Sequence, residues 1–212
     1  MLRRLFRKLV YLIITIGVCS VHAGSYEDFF IAVRNDNAGL VRDLIQRGFD
    51  PNTRDAKGQP GLTIAMQEQS LKAARVLLAQ PAVDVDALNQ AGESALMMAA
   101  LKGDLTALGL LLDRGARVSQ PGWSAIHYAA TGPEPQAVGL LLDRGADVNA
   151  ASPNGSTPLM MAAQYGAEAS VKLLLERGAD AKVRNQRDLR AADFARLAAR
   201  DSLTRMLEQA QR

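Results

Sequence analysis

The sequence predicts an all-α solenoid of about six helix-turn-helix units joined by short, β-hairpin-like loops. Four stretches end alike: Leu44-Ile45-Gln46-Arg47-Gly48, Leu111-Leu112-Asp113-Arg114-Gly115, Leu141-Leu142-Asp143-Arg144-Gly145 and Leu174-Leu175-Glu176-Arg177-Gly178. Gly48 to Gly115 is 67 residues, two units of 33 and 34, and the next intervals are 30 and 33. A period in the low thirties belongs to stacked repeats. About fifteen residues before the last three glycines sits a second string: Ser94-Ala95-Leu96-Met97-Met98-Ala99-Ala100, Ser124-Ala125-Ile126-His127-Tyr128-Ala129-Ala130 and Thr157-Pro158-Leu159-Met160-Met161-Ala162-Ala163.

Each residue type has a physical role in such a unit. Ser or Thr accepts a hydrogen bond from a free N–H at a helix start, and Pro158 suits the first helical position. Paired alanines let a neighbouring helix approach closely. The leucine run gives a second helix its apolar face, and glycine takes the left-handed conformation that ends it. No unit buries its apolar face alone, so stacking supplies one continuous core. The strings resemble the T-P-L-H-x-A-A signature of ankyrin repeats, and Ala146-Asp147-Val148-Asn149-Ala150 resembles the G-A-D-V-N-A tail that follows the family's glycine.

Residues 24–212 are assigned to the repeat domain. Unit one runs from about 26 to 51, with Phe29 and Phe30 covering the end of the core and Arg34-Asn35-Asp36-Asn37 turning into its second helix. Unit two, about 52–84, is the most diverged: Gly61-Leu62-Thr63-Ile64-Ala65-Met66 replaces the signature and Pro81 stands where glycine is usual. Units three (85–117) and five (148–180) are the most regular. Unit four (118–147) has a loop about three residues short, Ser119-Gln120-Pro121-Gly122-Trp123, and an inter-helix turn with two prolines, Thr131-Gly132-Pro133-Glu134-Pro135, which should start its second helix late. Unit six (181–212) ends on Met206-Leu207 without glycine or loop and reads as a cap.

Ahead of the repeats, Arg3, Arg4, Arg7 and Lys8, the apolar run from Leu9 to Val18, and Val21-His22-Ala23 form a secretory leader, residues 1–23, with cleavage after Ala23. The apolar run is short of the roughly 20 residues that span a bilayer. Contact with a membrane is expected only if the leader stays uncleaved or Cys19 is lipidated. Arg3-Arg4 partly matches a twin-arginine leader, so both export routes stay open. The chain has 25 Lys+Arg against 22 Asp+Glu, and four of those cations lie in the leader, leaving 21 against 22. That balance does not argue for nucleic acid. Cys19 is the one cysteine, so the exported protein has neither disulfides nor thiol chemistry.

Groups for catalysis are sparse. His127 is the one histidine beyond the leader and stands at the histidine place of the ankyrin signature, where the resemblance implies a structural hydrogen bond near the turn. One His without Cys does not make a transition-metal site unless carboxylates complete it. Asp84 with Asp86, and Asp180 with Asp188, fall in loops at places the repeat itself fills with Asp, so solvated carboxylates are expected, not an acid/base pair. The reading is non-enzymatic, with no cofactor, no metal and no small-molecule substrate. Met97, Met98, Met160 and Met161 are expected to fill the core, with an adaptable Met-rich surface as the alternative.

Resemblance to the ankyrin family implies a curved stack whose concave side contacts other proteins. Carried over position by position, it selects Gln59, Glu93, Trp123, Ser156 and Leu189 before each signature, and Arg34, Asn35, Gln67, Glu68, Leu101, Lys102, Thr131, Gln164 and Tyr165 after its alanines. The partner-binding set is Trp123, Tyr165, Leu101, Lys102, Arg34, Gln67, Glu68, Glu93 and Gln164. Trp123, the one tryptophan, either anchors a partner or folds back over the shortened loop. The resemblance to leader-bearing ankyrin proteins of Gram-negative bacteria implies a periplasmic module binding a protein of unknown identity. The alternatives are a dedicated regulator or protector of one periplasmic enzyme, a carboxylate-based hydrolase, and a secreted effector.

Overall fold

The computed structural model describes residues 24–211, and the leader expected at residues 1–23 lies outside them. Twelve helices run through the described residues: α1 (24–34), α2 (Ala38–Gln46), α3 (Gly61–Gln67), α4 (Leu71–Leu78), α5 (Ala95–Lys102), α6 (Leu105–Asp113), α7 (Ala125–Thr131), α8 (Pro135–Asp143), α9 (Pro158–Gln164), α10 (Glu168–Glu176), α11 (Ala191–Leu197) and α12 (Asp201–Gln209). They pair in order, so odd-numbered helices come first in each pair and even-numbered helices second. The only β pairing among the described residues is an isolated antiparallel bridge between Arg54 and Pro60. None of the described helices is long and apolar enough to cross a membrane.

The helix boundaries follow from local chemistry. Ser94 Oγ accepts the N–H of Met97 at the start of α5, and Thr157 Oγ1 that of Met160 at the start of α9. Asn37 and Asp104 cap α2 and α6 in the same way. Pro135 and Pro158 occupy first helical turns. Gly48, Gly115, Gly145 and Gly178 end the second helices with φ between 88° and 93°, the left-handed region open to glycine at low cost.

First helices stack against first helices, and this is where the core is densest. Ala99, Ala100, Ala129, Ala130, Ala162 and Ala163 are fully buried, so adjacent backbones approach closely. The limit is reached at Gly166, where an added Cβ would stand 2.0 Å from the carbonyl oxygen of Ala130. Second helices contribute Leu77, Leu108, Leu111, Leu141 and Leu174, all buried. At the first end, Phe29 meets Phe30 edge-on at 5.2 Å and stacks on Phe49 at 4.6 Å, closing the core. All four paired methionines, Met97, Met98, Met160 and Met161, are buried, the core-filling outcome.

Polar ties run from unit to unit at two levels. Along the second-helix ends, Arg144 reaches Asp113 at 3.1 Å and Arg177 reaches Asp143 at 2.7 Å. Unit two has no acid at this register, and Arg114 there donates to the carbonyls of Leu78, Gln80 and Pro81. Exposed ion pairs contribute under about 1 kcal/mol each, so these ties set register more than stability. In the loops, the N–H groups of Asp84, Arg117 and Asp180 donate to Asn52, Asp86 and Asn149, each in the loop one repeat earlier.

The packing predicts two glycine substitutions of opposite sign. Gly166→Ala is expected to destabilise by about 3 kcal/mol, because its methyl meets backbone that cannot yield. Gly109→Ala, inside α6 with nothing within 4 Å of an added Cβ, is expected to stabilise by about 0.5–1 kcal/mol through helix propensity. Urea unfolding followed by far-UV circular dichroism reads both.

Candidate partner-binding face

The first-helix face changes character at unit four. In the other loops a short polar side chain closes the turn: Asp55 accepts from the N–H of Lys57 and Gln59, Asn89 from Ala91 and Glu93, and Asn185 from Arg187 and Leu189, while Ser152 Oγ accepts from Ser156. The shortened loop before α7 has no such closure among the described residues. Instead Gln120 Nε2 donates to the carbonyls of Gly92 and Trp123. Nor does the N–H of Asp147 find an acceptor in unit four's loop, so the rung that joins the other loops is missing here.

Trp123 turns inward over this gap without being covered. Its ring meets the His127 imidazole edge-on at 5.2 Å and remains 36% exposed. A pocket of about 300 Å³ opens beneath it, lined by Leu101, Trp123, His127, Tyr128 and Thr131 with almost entirely apolar atoms. The fold-back reading of Trp123 is realised in part: it lies over the shortened loop, yet it also forms a pocket wall that solvent reaches.

Internal hydrogen bonds hold the polar groups of the pocket wall. His127 Nε2 lies 3.0 Å from the Ala150 carbonyl and 3.2 Å from that of Ser156, so it carries the proton. Nδ1 therefore accepts, from the Ser124 N–H at 3.2 Å and the Ser124 hydroxyl at 3.0 Å. Burial holds the His127 pKa below 6.5, partly opposed by its bonds to the backbone. The ring is neutral at pH 7 and ties α7 to the following loop. Tyr128 donates to Glu93 Oε1 at 2.9 Å; its burial, and then this bond to a carboxylate, push its pKa well above 10.0. Thr131 Oγ1 donates to the His127 carbonyl at 2.9 Å.

The sequence-selected residues divide into three sets. Leu101, Trp123 and Thr131 meet in the pocket. Lys102, Glu68 and Tyr165 are exposed on the same row of helix ends, Tyr165 at 62%. The rest are engaged or half-buried. Arg34 pairs with Asp55 at 2.9 Å and lies over the Phe30 ring. Gln59 donates to Gln67, which donates in turn to the Met98 sulfur. Glu93 also accepts from Asn89. Gln164 and Leu189 are half-buried; Asn35 stands apart from these sets as an exposed turn residue. Ser156 is a correction: it is 1% exposed and its hydroxyl accepts from Asn185, so it cannot touch a partner. His127 and Tyr128 were missed as pocket residues. The clue was Tyr128, an amphipathic aromatic where the neighbouring units carry buried Met98 and Met161.

No group of three or more His, Cys, Asp or Glu among the described residues could hold a metal ion. Asp84 and Asp86 are used in turn and rung bonds, with Asp84 Oδ1 accepting from the Asp86 N–H.

Comparison with known proteins agrees with this architecture. The family model "Ankyrin repeats (3 copies)" matches residues 29–121 and 117–185. An ankyrin repeat-containing protein of Treponema pallidum (strain Nichols) is 28% identical over 171 residues, 81% of this chain and 47% of that protein. Human transient receptor potential cation channel subfamily A member 1 is 26% identical over 159 residues, 70% of this chain and 14% of the channel. The chain thus spans less than half of either relative. Among solved structures, a chain from the complex of Bd0816 predatory endopeptidase from Bdellovibrio bacteriovorus with immunity protein Bd3460 superposes with a TM-score of 0.75. Identity there is 25%, covering 86% of this chain and 97% of that one.

The buried neutral His127 gives a pH prediction. Its folded pKa lies below 6.5, so below that pH the unfolded chain binds the proton more readily than the folded one. The stability this contributes is complete above about pH 6.5 and is lost as pH falls through the lowered value. Wild type is expected to lose more melting temperature between about pH 7.5 and pH 5 than His127→Asn does. Equal losses in thermal scans would refute the assignment.

Proposed function

Since the chain belongs to the ankyrin repeat family, we propose that it is an exported, non-enzymatic binding protein whose concave, first-helix face holds a partner protein in the bacterial periplasm. Protein–protein interaction is the family's general use of this scaffold, and a scaffold does not name its ligand. The observation that carries the site is the mid-stack pocket of Leu101, Trp123, His127, Tyr128 and Thr131. Large aromatics beside an apolar pocket are the usual energetic anchors of an interface. The indole N–H of Trp123 has no acceptor among the described residues and is left for a partner carbonyl. Export rests on the leader pattern of residues 1–23.

A second reading is favoured by one comparison. The endopeptidase–immunity protein complex contains a chain alike over nearly its whole length, which supports a dedicated regulator or protector that holds one enzyme. Under that reading the partner is a single hydrolase, bound stoichiometrically and inhibited while bound.

Crosslinking in intact periplasm followed by recovery of the chain tests both. A double variant, Trp123→Ala with Tyr165→Ala, is expected to lower recovery of a specific partner more than tenfold, since truncating one anchor costs about 2 kcal/mol or more. Unchanged recovery with helical content preserved would remove the site assignment. One dominant partner whose hydrolytic activity falls when the chain is added back would select the protector reading over a general adaptor.

A further inference from the structure

The second-helix face carries a groove of about 390 Å³ between α2 and α4. Ala38 and Arg42, one turn apart on α2, line one side; Lys72, Arg75 and Val76 on α4, with Ala79 just past its end, line the other. Arg42, Lys72 and Arg75 are exposed. Among the described residues, none of the three charged groups makes an ion pair or a hydrogen bond. Several arginines elsewhere find partners, Arg144 and Arg177 on carboxylates and Arg114 and Arg200 on backbone carbonyls. Three unneutralised cations around one recess repel each other, and an anion relieves that repulsion.

The arrangement is local rather than a property of the repeat. At the positions of Arg42, Lys72 and Arg75, the corresponding surface of α6 and α8 presents Gly109, Gln136 and Gly139, which carry no charge. Between the cations, Ala38, Val76 and Ala79 give the groove a small, apolar floor. A recess between two helix ridges admits a narrow extended chain, whereas a flat bilayer rests on the ridges. We propose that this groove binds an acidic segment of a partner polypeptide, its carboxylates set against Arg42, Lys72 and Arg75 and its backbone along the apolar floor. Because the groove lies on the second-helix face, it can be occupied together with the concave face. It also stands if the concave-face reading fails.

Fluorescence anisotropy of fluorescein-labelled hexaglutamate with the full chain tests this. Saturable binding is expected at low salt, weakening as NaCl rises from about 0.05 to 0.5 M and the Debye length shrinks. Removing all three charges in Arg42→Ala, Lys72→Ala, Arg75→Ala is expected to weaken it about tenfold or more, given three exposed charge contacts. The control Lys57→Ala, Lys182→Ala, Arg187→Ala removes equal charge from loop positions and should leave binding within about twofold, because exposed charges beyond a Debye length are screened. Arg75→Gln serves as a milder variant should the triple one lose helical content, with an intermediate loss expected. Absent saturable binding, or equal losses in groove and control variants, would overturn the proposal. So would phosphatidylglycerol vesicles binding through the same three cations while hexaglutamate does not.

Discussion

Close approach of the first helices is the constraint on which the rest of the molecule depends. Paired alanines at 99–100, 129–130 and 162–163 remove side-chain bulk where one helix meets the next. Gly166 removes the last methyl where the Ala130 carbonyl stands. Dispersion falls off steeply with distance, so a stack without large inner side chains gains its cohesion from short separations. Once the first helices are fixed in this way, the leucines of the second helices have only one side to bury, and the loops fall into register above them.

Register explains the polar ties. Donors and acceptors about 31 to 34 residues apart meet because each unit repeats the last, as in Asp84 to Asn52, Asp180 to Asn149 and Arg177 to Asp143. Each tie adds little alone, yet together they leave few loop polar groups without partners. Unit four interrupts the loop series. Its shorter loop lacks the side-chain closure of its neighbours and makes no rung to Asp147. Trp123 occupies the space, with Gln120 holding its carbonyl. The apolar pocket thus sits where unit four's loop is shortened.

Much of this was legible from residues alone. The glycine period gave the helix pairs, and the Ser and Thr caps gave first-helix starts at Ala95 and Pro158, but the two prolines of unit four do not delay its second helix: Pro135 follows the start of α7 at Ala125 by ten residues, as Leu105 follows Ala95 and Glu168 follows Pro158. Leu101, Trp123 and Thr131 were selected by position and do meet. The mistaken selection of Ser156 shows the limit of positional transfer: unit five has a complete loop, so the same place that exposes Trp123 in unit four is covered by Asn185 of the next unit. The burial of a loop residue is set by its neighbour along the stack, which local pattern does not encode.

Periodicity is a property of the chain itself, because 3.6-residue helices and left-handed glycines constrain each unit locally. The sequence by itself therefore determined the repeat, the helix ends and the identity of the core leucines, while the structural role of His127 was implied by the resemblance to ankyrin repeats. Tertiary structure alone decided which polar side chains are spent on internal bonds, as Glu93 is by Tyr128 and Asn89, and which are left free, as Arg42, Lys72 and Arg75 are. It also decided that Tyr128 and His127 wall a pocket. These outcomes depend on distances between residues some thirty positions apart, which only the stacked backbone brings together.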